Sequence, residues 1–160
     1  MNRPDDSDPT RQATLLSTPA RWATLIYATV CYAGFHAVFL WMVAFLNDIP
    51  FLPSVNSGAP RHWAAAMAIN LGLILLFGLQ HSVMARRSFK KAWTRIIPEP
   101  AERATYVLAT VVCLALAFAF WSPMTRTIWR VEQPVTVYVI LAVQAVGWAT
   151  LVLATFALDH

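Results

Sequence analysis

Four long apolar stretches, separated by shorter polar segments, dominate the pattern of hydrophobic and polar positions along the chain. Each is close to the roughly 20 apolar residues that a helix needs to cross a bilayer. The pattern predicts an all-α, polytopic membrane protein whose four spanning helices cover residues 22–46, 63–85, 104–121 and 135–158. Tryptophans stand near several of these ends, as interfacial aromatic residues do.

The segments between the stretches carry the signals of loops and of one helix start. The stretches "NDIPFLPSVNSGAPR" and "WSPMTRTIWRVEQP" are rich in proline and are predicted to be loops. In "IIPEPAERATYVL", Pro100 suits the first turn of a helix, where its missing N–H costs nothing. Glu99 and Glu102 would place negative charge at the positive end of that helix dipole.

Residues 1–21 are polar, with three aspartates and three prolines, and are predicted to be a disordered tail. The first apolar stretch is too long and too far from Met1 for a signal peptide. We therefore expect residues 22–160 to form one four-helix membrane domain. The chain stops as the fourth predicted helix reaches the membrane surface, which leads us to expect further sequence after His160.

The composition supports the membrane assignment and excludes other classes. Hydrophobic residues make up 58% of the chain and charged residues only 12%, against about 25% in soluble domains. The net charge of +4 does not indicate a nucleic-acid partner, because the basic residues stand beside apolar stretches rather than on a solvated face. Cys31 and Cys113 lie inside apolar stretches without metal-ligand spacing, so neither a disulfide framework nor a metal site is predicted.

The distribution of Lys and Arg predicts the orientation. The segment 86–103 holds six of the twelve and the tail three, whereas the other two connections share three. By the positive-inside rule, the tail and the segment 86–103 are cytoplasmic, and four spans return the C-terminus to the same side.

Three polar residues lie midway along predicted helices: His36, Asn70 and Gln144. Asn70 and His81 are eleven positions apart and fall within roughly 20° on one helix face, with Gly78 assigned to nearly the same face. Interhelical hydrogen bonding is the expected role of Asn70 and Gln144. His36 is expected to pack; haem ligation by His36 and His81 is disfavoured because their predicted levels differ by roughly 15 Å.

Polar groups also gather where the second predicted helix leaves the membrane. Two interpretations of this cluster are open: a topology signal that meets anionic lipid, or a site for an anionic or zwitterionic ligand at the bilayer surface. The residues concerned are His81, Ser82, Arg86, Glu102 and Arg103.

The stretch "LLFGLQHSVMARRSFKKAWTRIIPEPAERATYVLAT" resembles the signature of the nurim-like membrane proteins. Within them it is most similar to bacterial methanethiol S-methyltransferases, and more distantly to isoprenylcysteine carboxyl methyltransferases. The resemblance is strong over about residues 63–121. The signature positions are Gln80, His81, Ser82, Arg86, Glu102, Arg103 and Tyr106.

The resemblance implies methyl transfer from S-adenosylmethionine to a small thiol, methanethiol giving dimethyl sulfide, in the bacterial inner membrane. The thiolate is the nucleophile, and positive charge from Arg86 or Arg103 would favour it. The candidates for catalysis are His81, Arg86, Glu102 and Arg103, with Glu102–Arg103 bracing the third helix. The candidates for substrate binding are Gln80, Ser82 and Tyr106.

The sequence departs from the related methyltransferases because it has neither the His-Pro nor the Glu-Glu motif of their cofactor-binding half. No cofactor-contacting residue can be carried over, and the chain resembles an N-terminal half that we expect to be inactive alone. The alternatives are a non-catalytic nurim-like scaffold and an NnrU-type protein.

Overall fold

Helices account for all of the regular secondary structure in the computed structural model, which describes residues 18–49, 51–127 and 129–158. Four of the helices are long and apolar enough to cross a membrane. The prediction of an all-α chain with four spans is therefore confirmed. The helices of the described residues are α1 (Thr18–Leu46), α2 (Trp63–Met84), α3 (Arg87–Trp93), α4 (Glu99–Phe120) and α5 (Pro134–Leu158).

The helix bounds follow the apolar stretches to within one residue except at two starts, that of α1 and that of α4. Helix α4 begins at Glu99, five residues before the predicted start of the span at 104. Its first turn is polar, which is why hydropathy places the start too late. The local signals predict the turn correctly, since Pro100 and the two glutamates Glu99 and Glu102 all lie in it.

Two polar segments also differ from expectation. Residues 18–21, assigned to a disordered tail, form the first turn of α1, and the rest of that tail lies outside the described residues. The segment 86–103 is not all loop, because its first half forms the short helix α3. The sequence "RSFKKAW" contains no glycine or proline, and its Arg, Lys and Ala residues favour helix.

The chain divides into two units, residues 1–125 and 126–160. In the first unit α4 packs against both α1 and α2, while contact between α1 and α2 is minor. Tyr27 of α1 and Thr105 of α4 share a hydrogen bond of 3.0 Å between hydroxyl oxygens. Further along, a Cβ added at Gly34 would lie 3.6 Å from the side chain of Val111, so the two backbones approach closely there.

The best-packed part of the first unit is an aromatic cluster between α1 and the end of α4. Phe45 stacks on Phe118 with ring centroids 4.8 Å apart, and Trp121 meets Phe45 edge-on at 5.7 Å. Trp41 contacts Phe118 edge-on at 5.5 Å. Edge-to-face and offset-stacked pairs of this kind stabilise a core beyond the area that they bury.

The connection between α1 and α2 folds back onto this cluster. Trp41 Nε1 donates a hydrogen bond to the carbonyl oxygen of Pro53 at 3.0 Å, and the amide of Val55 donates to the carbonyl oxygen of Phe45 at 3.1 Å. Both bonds tie the loop to the last turns of α1.

The second unit consists of α5 and the residues that precede it. Near its start the hydroxyl of Thr136 donates to Gln133 Oε1 at 3.1 Å. Gln144 is half-buried in the middle of the helix. Its expected interhelical hydrogen bond stays a prediction.

Candidate functional site

The seven candidate site residues of the signature lie at one end of the first unit, where α2 ends, α3 follows and α4 begins. We call this the basic end, after its cations, which include Arg86, Arg87, Lys90 and Lys91. The opposite end is formed by the connection between α1 and α2 and by the end of α4.

The central contact of the basic end joins His81 of α2 to Tyr106 of α4. The hydroxyl oxygen of Tyr106 lies 2.9 Å from Nδ1 and 3.0 Å from Nε2 of His81. The two ring centroids are 5.3 Å apart, and the ring centroid of Phe77 lies 5.4 Å from that of the imidazole. The hydroxyl can donate to the ring nitrogen without hydrogen or accept from the one that carries it, so the pair can hold or pass one proton.

A second contact at this end joins α3 to α4. Lys90 Nζ lies 3.7 Å from Glu102 Oε1, and the carboxylate side chain is the less exposed partner, at 16%. The contact forms because α3 folds over the start of α4 and brings Lys90 to the carboxylate. That Glu102 and Arg103 together brace the third predicted span stays a prediction.

The remaining candidates are placed less tightly. Gln80 is half-buried; its Nε2 donates to the sulfur of Met84 at 3.3 Å, and its Oε1 is buried without a hydrogen-bond partner. Ser82, Arg86 and Arg103 are exposed at the same end. The structure thus brings two of the seven candidates, His81 and Tyr106, into direct contact.

The polar residues Asn70 and His36 of the membrane-spanning region make two different kinds of structural contact. Asn70 is buried and clasps the segment that follows α4: its Nδ2 donates to the carbonyl oxygen of Ser122 at 2.8 Å, and its Oδ1 accepts from the amide of Ser122 at 2.9 Å. Asn70 thus bonds to another part of the chain, but its partner is the segment after a helix and not a helix, which was the expected partner. His36 instead bonds its own helix, with Nδ1 2.7 Å from the carbonyl oxygen of Tyr32.

The assignment of Gly78 to the face shared by Asn70 and His81 is wrong. A Cβ added at Gly78 would meet nothing within 4 Å, whereas His81 contacts α4 and Asn70 contacts the segment that follows it. Eight residues at 100° place Gly78 about 80° from Asn70, which is enough to turn it off the interface.

Sequence reasoning missed three residues of this region. Lys90 was counted only as a topology signal, although it provides the counter-ion of Glu102. Phe77 was not considered, although its position four residues before His81 puts the two rings on one face. Trp93 ends α3 with its Nε1 buried and without a hydrogen-bond partner. Of these three residues, only Phe77 could have been identified from the sequence, by its spacing of four residues from His81.

The arrangement offers acid–base chemistry rather than metal chemistry. Among the described residues no group of three His, Cys, Asp or Glu side chains could hold a metal ion. The imidazole and phenol could move a proton, the cations could hold an anion, and the unpartnered atoms of Gln80 and Trp93 could each bind a ligand.

Comparison with known proteins finds relatives that cover most of this chain. It is 41% identical over 138 residues to a methanethiol S-methyltransferase from Pseudomonas sp. (strain GM41(2012)), which covers 86% of this chain and 53% of that protein. It is 39% identical over 142 residues to the methanethiol S-methyltransferase of Crocosphaera subtropica, covering 88% and 55%. Nurim of Pan troglodytes is 34% identical over 125 residues, covering 70% and 45%.

The chain therefore spans about half the length of the relatives it matches. No protein-family model matches it, and no solved structure does.

Proposed function

Because the chain belongs with the methanethiol S-methyltransferases and nurim to one family of membrane proteins, we propose that it serves the methylation of a small thiol, with S-adenosylmethionine as methyl donor. The reaction would take place at the basic end. The thiol, of which methanethiol is the smallest member, would be converted to a thioether such as dimethyl sulfide.

The observation that carries this proposal is the contact between His81 and Tyr106. A thiol must lose its proton before or as its sulfur attacks, because the thiolate is the effective nucleophile. In the proposed step the sulfur electron pair forms the new S–CH₃ bond, the donor's S–CH₃ bond breaks, and the thiol proton moves to His81. The proton goes to the ring nitrogen of His81 that carries no hydrogen. The hydroxyl oxygen of Tyr106, 2.9 and 3.0 Å from the two ring nitrogens, would accept a hydrogen bond from the other nitrogen and hold the imidazole in place.

The methyl donor supplies an electrophilic methyl group on a cationic sulfur. The basic end offers groups that suit the rest of such a molecule: Gln80 Oε1 is a buried acceptor without a partner, and Trp93 Nε1 is a buried donor without one. Arg86 is exposed and lies between Gln80 and Trp93 in the sequence. It would bind the carboxylate of the methyl donor's amino-acid moiety. Lys90 would keep Glu102 neutralised, so that this carboxylate does not oppose the thiolate.

The test uses the purified chain in lipid nanodiscs. Binding of radiolabelled S-adenosylmethionine is measured by equilibrium dialysis, and dimethyl sulfide formed from methanethiol is measured by headspace gas chromatography. Positioned general bases contribute roughly 10²- to 10⁴-fold, so in a full-length enzyme that contains this chain we expect His81→Ala to lower kcat by at least about 100-fold. We expect Tyr106→Phe to lower it less, because the imidazole remains.

His36→Ala is the matched control, since His36 is also a histidine in a membrane-spanning helix but bonds only its own helix. It should keep wild-type activity. Equal losses in both histidine variants would mean that the effect is one of folding, and full activity in His81→Ala would remove the proposed base.

The half-length match favours a second candidate, a nurim-like membrane module without turnover. This candidate predicts that the chain neither binds the donor nor forms product. It also predicts that a membrane protein co-purifies with the chain. If the chain is instead an NnrU-type protein, the thiol assay should likewise show no product. Donor binding with no product would assign the cofactor site to this chain and the remaining chemistry to sequence elsewhere.

A further inference from the structure

A cavity of about 250 Å³ lies between α1, α2 and α4 on the side of the unit away from the basic end. Its walls are aliphatic and aromatic throughout, and no polar atom contributes to its surface. The lining includes Met42, Phe45, Leu73, Phe77, Leu114 and Phe118. None of these residues takes part in the contacts at the basic end except Phe77.

The cavity is partly open, and a loop as well as helices forms its walls. Val55 and Trp121 form its wall at the end opposite to the basic end. Val55 is fixed there by the hydrogen bond of 3.1 Å from its amide to the carbonyl oxygen of Phe45, and the neighbouring Pro53 accepts the bond from Trp41. A segment tied in place therefore closes this end of the cavity.

The chemistry of the lining selects the ligand. A charged or strongly hydrogen-bonding molecule would lose its hydration in this cavity and gain no polar contact in return, which excludes S-adenosylmethionine. The volume admits a small molecule with room to spare, since a cavity of about 150 Å³ already holds benzene. Small neutral sulfur compounds meet both conditions, because a thiol or thioether is apolar and polarisable and makes favourable contacts with aromatic rings.

Phe77 connects the cavity to the basic end. It forms part of the lining, and its ring lies 5.4 Å from that of His81. Along α2 the two residues are four positions, or about 6 Å, apart. A molecule that leaves the cavity past Phe77 therefore arrives next to the pair of His81 and Tyr106.

We propose that this cavity is the binding site of the apolar sulfur reactant, a small thiol or its thioether product, which reaches His81 past Phe77. The proposal rests on the proposed function for the identity of the sulfur compound. It implies that the two reactants approach from opposite directions, the apolar one through the membrane-embedded cavity and the charged one from the basic end.

The test measures occupancy without requiring turnover. The chain in nanodiscs is irradiated with a small alkyl diazirine, and the labelled residues are mapped by mass spectrometry with and without dimethyl sulfide. We expect labels at cavity residues such as Leu73 and Leu114 that dimethyl sulfide suppresses. Labels on Leu71, which is 53% exposed on the same helix, should be unaffected by dimethyl sulfide.

Two substitutions at one position give opposite expectations. Leu73→Phe narrows the cavity and should reduce the suppressible labelling, whereas Leu73→Ala enlarges it and should increase the labelling. Leu71→Phe makes the same change on the exposed face and is the control. It should leave the suppressible labelling unchanged. If the chain turns over, Leu73→Phe should raise the KM for methanethiol and leave the KM for S-adenosylmethionine as it is.

Labelling that dimethyl sulfide does not suppress would overturn the proposal. If a phospholipid with a diazirine in its acyl chain labels Leu73 instead, and dimethyl sulfide has no effect, the cavity is filled by lipid. Suppressible labelling in a chain that neither binds the methyl donor nor forms product would support the cavity as a binding site and reject the proposed function.

Discussion

Single polar side chains at this protein's helix ends are held by specific, local partners, and Asp48 is the best-defined example outside the spans. Its carboxylate accepts hydrogen bonds from the hydroxyl of Ser54 and from Asn56 Nδ2, the latter at 3.1 Å. These bonds hold the pKa of Asp48 below its ordinary value, since they favour the charged form. The loop thus owes part of its order to a carboxylate that must stay ionised.

We predict that the loop between α1 and α2 loosens in acid. A lowered pKa in the folded state means that the stabilisation is complete above the ordinary aspartate pKa and is lost as the pH falls through the lowered value. Fluorescence of Trp41, obtained as the difference from Trp41→Phe, should shift to the red over that range because its bond to Pro53 depends on the loop.

Asp48→Asn provides the control for this titration. Asn accepts the positive φ of 52° at this position and keeps an acceptor oxygen, but it cannot titrate. The acid shift should therefore disappear in this variant. An unchanged shift would assign the transition to another group.

At the scale of helices, packing depends on how closely α4 approaches its two neighbours. Gly34 and Gly78 are both glycines within apolar helices, but only Gly34 faces a neighbour, Val111 of α4. The same substitution at the two positions separates helix packing from helix propensity.

We predict that Gly34→Leu destabilises the first unit by about 1–3 kcal/mol, because the new side chain must push α1 away from α4. Gly78→Leu meets open space and should be neutral or slightly stabilising. Unfolding of the purified variants in mixed micelles, followed by circular dichroism, measures both. An equal loss of stability in Gly78→Leu would show that a surface of α2 away from α4 is also packed.

The sequence predicted the helices better than the contacts between them, and the reason is physical. The bilayer sets the length of every span, so apolar length alone locates α2 and α5 to within one residue. The polar first turn of α4 and the seven residues of α3 have no such constraint. The pairing of His81 with Tyr106 depends on the register between two helices, which a single sequence does not contain, although both residues were candidates.

At the scale of the whole molecule, the basic residues are unevenly distributed along the sequence, with nine of the twelve Lys and Arg residues in the N-terminal tail and in the segment 86–103. We predict that the basic end is cytoplasmic. In Lys91→Cys, an impermeant maleimide should label inside-out vesicles only. In Arg61→Cys, it should label intact spheroplasts.

The native cysteines should not react with the maleimide, because Cys31 and Cys113 are both buried. Labelling of Arg61→Cys from the cytoplasmic side would reverse the orientation. It would also place the proposed donor site on the side of the membrane that holds no S-adenosylmethionine.

The position of α4 between α1 and α2 also governs how the chain is made. The ribosome delivers α1 and α2 first, and these two helices have little contact with each other. Until Ser122, two residues beyond α4, emerges from the ribosome, the side-chain amide of Asn70 lacks this partner and remains a polar group in the hydrocarbon core. Biogenesis of this protein therefore includes an interval in which two inserted helices wait, unassembled, for the third span to bring them together.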